Sequence, residues 1–190
     1  MEENGNSEGP ETSGEIPASG SFLNRMIRAA RLDVSLYEEV EADHSAVGQA
    51  VGVVILSSLA AGIGTIGRFG GYSHVFGWMI TDLVLWFIWA TMTYWIGTRL
   101  LPEPETKADL GELLRTLGFA ATPGLIRIFG ILPGLMLPSI LIARIWWLVA
   151  MVIAVRQALD YKSTARAVGV CLIGWFLILL VQIVAMGIAS

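Results

Sequence analysis

Three charged residues, Asp82, Arg127 and Arg144, stand inside runs of apolar residues, and the stretch 117–130, LGFAATPGLIRIFG, sets Pro123 and Gly124 just ahead of one of them. A charge near the centre of a membrane helix costs about 2.5–3.5 kcal/mol, so it is kept where it pairs, binds an ion or solute, or relays a proton. Pro123 has no N–H for the carbonyl of Phe119, so the break frees an acceptor inside an apolar segment, close to Arg127. Two chemistries fit. In the first, the kink is packed and Asp82 pairs with Arg144 or Arg127, the other arginine binding freed carbonyls or water. In the second, the break holds an ion or a solute.

Catalysis has no comparable signature. The chain has no glycine-rich phosphate loop, no Ser or Cys beside a base, and no cluster of His and carboxylates at metal-ligand spacing. Asp82 alone lacks a second catalytic group. No catalytic residue, metal or cofactor is therefore expected, and the lone Cys171 excludes a disulfide framework.

The elements that must position these charges follow from composition. The chain is 55% apolar and 15% charged, with mean hydropathy +0.67, too apolar for an ordinary soluble domain. Basic residues are scattered singly between apolar runs, so no patch tracks phosphates and nucleic acid is excluded as a partner. A spanning helix needs about 20 mostly apolar residues. Five segments qualify, at about 49–66, 75–96, 110–132, 137–159 and 166–188. The expected fold is all-α: a polytopic integral membrane protein with five transmembrane helices over 45–190.

Orientation comes from the basic residues between spans. A cytoplasmic N-terminus gives that side Arg25, Arg28, Arg31, Arg99, Lys107, Arg115, Arg156, Lys162 and Arg166, and leaves Arg68 outside. Asp82, Arg127 and Arg144 then all fall about five to seven residues from the outer ends of their spans, at similar depth for a rise of about 1.5 Å per residue.

Ahead of the spans, residues 1–20 hold five glutamates and no basic residue, and read as a disordered acidic tail. Residues 21–44 read as cytoplasmic amphipathic helices. In SFLNRMIRAARL, Phe22, Leu23, Met26, Ile27 and Ala30 share one face and Arg25, Arg28 and Arg31 another. Such a helix lies at the membrane interface, arginines toward lipid phosphates, or docks on the protein's own cytoplasmic side. Ser35 with Glu38, and Asp109 with Glu112, have capping-box spacing.

Span one carries small residues four apart: Gly48 and Gly52, Ser57 and Ala61, Ser58 and Gly62, Ala60 and Gly64. This is a close-packing face, used first within the chain and second for homo-oligomer contact. Trp78, Trp95, Trp146 and Trp147 read as interface anchors or bundle filler.

With the spans laid out, the chain resembles the Yip (Ypt/Rab-GTPase-interacting protein) domain family over about residues 21–188. The resemblance rests on Leu117-Gly118-Phe119 followed by Pro123, on RIWWLVAMVIAVRQALDYKSTARAV at 144–168, and on RLDVSLYEEVEAD before span one. It implies a five-span protein with a cytoplasmic N-terminal region that acts as a membrane-organising component or adaptor, meeting lipid or an unidentified protein partner through that region. Where the eukaryotic relatives carry Asp-Leu-Tyr-Gly-Pro, this chain has Ser35-Leu36-Tyr37-Glu38-Glu39, so binding of a Rab-type GTPase does not carry over. The expected location is a prokaryotic plasma membrane, and the rival function is a small transporter or channel built on Asp82, Arg127 and Arg144.

Overall fold

The computed structural model describes residues 20–69 and 73–189, all of whose regular elements are helical. The acidic tail at 1–19 and the side chains of Arg68 and Trp78 lie outside the described residues. Two short helices come first, α1 (Phe22–Ala30) and α2 (Val34–Ala42), and a 3-10 turn, His44–Ala46, leads into α3 (Val47–Phe69). Then come α4 (Ser73–Trp95), extended by a π-helical turn over Ile96–Leu100, α5 (Leu110–Ala120), a 3-10 segment over Thr122–Ile131, α6 (Met136–Ala158) and α7 (Thr164–Ala189). Among the described residues, three stretches are long and apolar enough to cross a membrane: His44–Ile66, Val75–Leu100 and Met136–Ala158.

Local chemistry places the helix starts. Asp109 accepts from the Glu112 N–H at 2.9 Å, and the Glu112 carboxylate accepts from the Asp109 N–H at 2.7 Å, closing the expected capping box. At α2 the spacing of Ser35 and Glu38 misleads. Asp33 caps the helix, accepting from the Ser35 N–H at 3.0 Å and the Ser35 hydroxyl at 2.7 Å, because its carboxylate reaches the first free amide two residues earlier.

The span expected over 110–132 is not one helix. Its α-helical part ends at Ala120 and its second part winds as 3-10 over Thr122–Ile131. Pro123 leaves the Phe119 carbonyl without its normal donor, and the Thr122 hydroxyl takes that carbonyl at 2.7 Å instead. From there the chain reaches α6 by a turn in which the Leu135 N–H bonds the Leu132 carbonyl at 3.1 Å and Gly134 adopts φ +80, the conformation that the third position of a Pro-Gly type II turn requires.

Helix α3 is the spine, packed against α4, α5 and the 3-10 segment. Its seam recurs every seventh residue. A Cβ on Gly118 would lie 2.6 Å from that of Ala50, one on Gly124 3.2 Å from the Ser57 hydroxyl, and one on Gly64 would collide with the Arg127 carbonyl. Small residues on both sides let the backbones touch, which is how helices gain contact where lipid supplies no hydrophobic drive. The expected face is therefore filled from within the chain, although a Cβ on Gly48 would meet nothing within 4 Å and one on Gly52 only Phe22 of α1. Helix α6 has a similar stripe, Ala150, Ala154 and Ala158, all fully buried. Trp147 stacks on Trp175 with centroids 6.0 Å apart and meets Trp89 at 6.5 Å, so it fills the bundle, whereas Trp95 is exposed.

Candidate functional site

Two polar places stand out in this frame: the helix break with its charges, and the end of the bundle that carries α1 and α2.

At the break, α5 ends with its last carbonyls unpaired, as every helix does. The Ser57 hydroxyl, buried on α3, donates to the Ala121 carbonyl at 2.6 Å, alongside the Gly124 N–H at 2.9 Å. Arg127 turns back on the same place. Its Nε donates to the Gly124 carbonyl at 3.1 Å and an Nη donates to the Ser57 carbonyl at 3.2 Å. Pro123 and Gly124 are buried beneath it. The guanidinium thus ties the break to α3 through main-chain oxygens, which satisfies it without a counter-ion.

The expected ion pair is not formed. Asp82 and Arg144 lie close enough for Arg127 to feel both charges, but among the described residues no ion pair joins Asp82 to either arginine. Asp82 is half-buried on α4 and Arg144 is exposed on α6. The physical reason is local: the broken helix offers Arg127 carbonyls at short range, and α6 turns Arg144 outward. Ser57, the residue that bridges the break, was visible in the sequence only as a small residue.

At the other end, of the two expectations for α1, docking on the protein itself holds for Arg25 and Arg28, which bind carboxylates of the chain where lipid phosphates were the alternative. Arg25 is 1% exposed. Its Nε lies 2.9 Å from Glu39, one Nη 2.8 Å from Asp43, and the other donates to the Gln49 side chain at 3.0 Å. Arg28 pairs with Asp33 at 2.9 Å and with Glu39, and donates to the Ser35 hydroxyl at 3.1 Å. Arg31 alone of the three is exposed. The correction has a cause: α1 folds back on α2, whose acidic residues replace the lipid phosphates, and α1 presents Leu23 and Ile27 outward in place of its arginines. The hydrogen bonds that Arg28 donates to Asp33 and Glu39 hold it above its ordinary range. The Arg28 guanidinium and the Ser35 hydroxyl hold Asp33 below the carboxylate range, and Ser45 with Arg25 do the same for Asp43. Glu39 is pushed up by burial, but the bonds from Arg28 and Arg25 outweigh this and leave it low.

Further contacts lock α1 and α2 onto the bundle. Arg115 of α5, 2% exposed, donates Nε to the Val40 carbonyl at 2.9 Å and an Nη to the Glu41 carbonyl. These are the last carbonyls of α2, where a cation is best placed. The Trp146 N–H donates to the Ala30 carbonyl of α1 at 2.8 Å. In the sequence Arg115 counted only toward orientation, yet it shares a helix face with Gly118 and Phe119, the residues that meet α3 and the core.

Beside α2 lies a cavity of about 380 Å³ lined by Glu38, Glu41, Ala42, Arg156, Gln157, Asp160 and Tyr161. Gln157 donates to Glu38 at 2.9 Å, and the Arg156 Nε donates to the Tyr161 carbonyl at 3.2 Å. The Tyr161 hydroxyl reaches the Gly97 and Leu101 carbonyls, at 3.0 and 2.7 Å, that the π-helical turn leaves available. Burial and the nearby Glu103 push that hydroxyl up to about 12, so it stays a donor. Sequence reading missed Glu41 and Asp160 because neither carries a motif.

Compared with known proteins, residues 34–186 match the family model of the Yip1 domain, which covers most of the chain. No curated protein and no solved structure matches.

Proposed function

The chain belongs to the Yip1 domain family, and on that premise we propose that it is a non-enzymatic, multi-pass membrane protein that acts as a membrane-organising adaptor. In this reading the bundle crosses the membrane five times, with α5 and the 3-10 segment together making the third pass, and the N-terminus lies in the cytoplasm of a cell bounded by its plasma membrane. One observation supports the adaptor role above the others. Buried Arg25 and Arg115 fasten α1 and α2 to the bundle, so that they offer a fixed surface and not a loose tether. A fixed surface lowers the ordering cost that a flexible segment meets on binding.

The test is in-cell crosslinking of the tagged full chain, followed by detergent purification and mass spectrometry. A stoichiometric partner that is lost when exposed Leu23, Ile27 and Arg31 are replaced by Glu supports the reading. Recovery of the protein alone overturns it.

Asp82 supports a second reading, a small transporter or channel, because this carboxylate in a spanning helix has no bonded partner among the described residues. Liposome flux that disappears in Asp82→Asn while the fold survives would favour it over the adaptor.

A further inference from the structure

Every helix that touches α2 brings charge to its C-terminal end, and the signs do not balance. Glu41 is half-buried in the cavity wall, and Glu38 of α2 and Asp160 of the turn after α6 line the same cavity. Glu112 of α5 also lies near enough to act on Glu41. The cations nearby make their bonds to the main chain. Arg115 spends its bonds on the main-chain carbonyls of Val40 and Glu41, and Arg156 donates to the Tyr161 carbonyl. Among the described residues the Glu41 carboxylate receives no hydrogen bond and no ion pair. It also stands at the C-terminus of α2, where the helix dipole adds to the repulsion. Asp160 cannot easily turn away, because it holds φ 53 in a tight reversal closed by the Tyr161 N–H on the Arg156 carbonyl at 2.9 Å.

We infer that α2 is a proton-gated latch: with Glu41 neutral it lies tight against α5 and α6, and ionisation of Glu41 loosens it. The direction follows from the surroundings. Burial, then Asp160, Glu112 and Glu38, push Glu41 from 4.5 up to about 7, with Arg115 opposing. A carboxyl whose value is raised in the docked state favours docking below its free value, and that advantage is lost as pH rises to the docked value. The working window is therefore about pH 4.5 to 7. Because Glu41 is only half-buried, water screens part of the effect, and docking is expected to weaken about tenfold between about pH 5.5 and 7.5. The latch is a property of the fold and holds whether or not this surface recruits a partner.

The experiment is amide hydrogen exchange across α2 in the full chain in lipid nanodiscs, each rate divided by the intrinsic rate at its pH. His44, exposed in the turn after α2, is replaced by Gln throughout so that no imidazole next to α2 contributes. The expected result is an α2 opening constant about tenfold larger at the higher pH, and a Glu41→Gln protein that keeps the tight value at both. Asp160→Asn, which leaves Glu41 in place, narrows the difference and serves if Glu41→Gln does not fold. An α2 opening constant that does not change with pH overturns the proposal, as does a pH response that survives unchanged in Glu41→Gln or in Asp160→Asn.

Discussion

The two sides of α2 treat their acids in opposite ways. On the side toward α1, Asp33, Glu39 and Asp43 meet Arg25 and Arg28 in a bonded network and are held low. On the cavity side, Glu41 faces Glu38 and Asp160 while Arg115 and Arg156 are occupied by carbonyls, and Glu41 is held high. Both sides have arginines within reach. What separates them is whether the guanidinium bonds a carboxylate or a backbone carbonyl, so a nearby positive charge does not by itself make a matched site.

The two sides should therefore respond to acid in opposite senses, and the largest effect tests this directly. Carboxylates held low contribute stability that is complete above their free values, 3.8 for Asp and 4.5 for Glu, and is lost as pH falls through their bound values. Thermal unfolding in detergent should show stability rising as pH falls from about 7 to 5, as Glu41 is protonated, then collapsing below about 4 as both arginines lose their partners. A single monotonic curve would erase the contrast.

Arg25→Met comes next. It removes the buried centre of the network and leaves Glu39 and Asp43 facing each other, at a cost of about 3–5 kcal/mol measured by denaturant titration. Glu39→Gln keeps the shape but removes the one carboxylate charge that Arg25 and Arg28 share, and should cost about 1.5–3 kcal/mol. If Glu39→Gln costs as little as a surface substitution, the matched side is not held by charge. Lys162→Ala gives the scale its zero. Lys162 pairs with Glu105 at 2.6 Å on a fully exposed surface, so the unfolding midpoint should not move.

Much of the fold was legible in short stretches. The capping box at Asp109 joins residues three apart, and the end of α5 follows from a proline that lacks an N–H; both are settled within one turn of chain. The small residues of span one announced close packing, and Ser57 and Gly64 among them form the seam together with Ala50, but their partners lie more than sixty residues away. Separation along the chain also hid the candidate site. Nothing near Arg25 in sequence marks Gln49 as its partner, and nothing near Arg115 marks the end of α2.

The sequence by itself determined an all-helical chain with membrane-length apolar stretches and a break at Pro123, because hydropathy and the missing amide act locally. It also set Asp82, Arg127 and Arg144 inside apolar runs. Only the tertiary structure decided that Arg127 would bind carbonyls and not Asp82, that Arg25 would be buried against α2, and that Glu41 would be left unmatched. Whether a charge finds an opposite charge or a main-chain oxygen depends on which helix ends pack beside it, and packing is settled by contacts across the whole bundle.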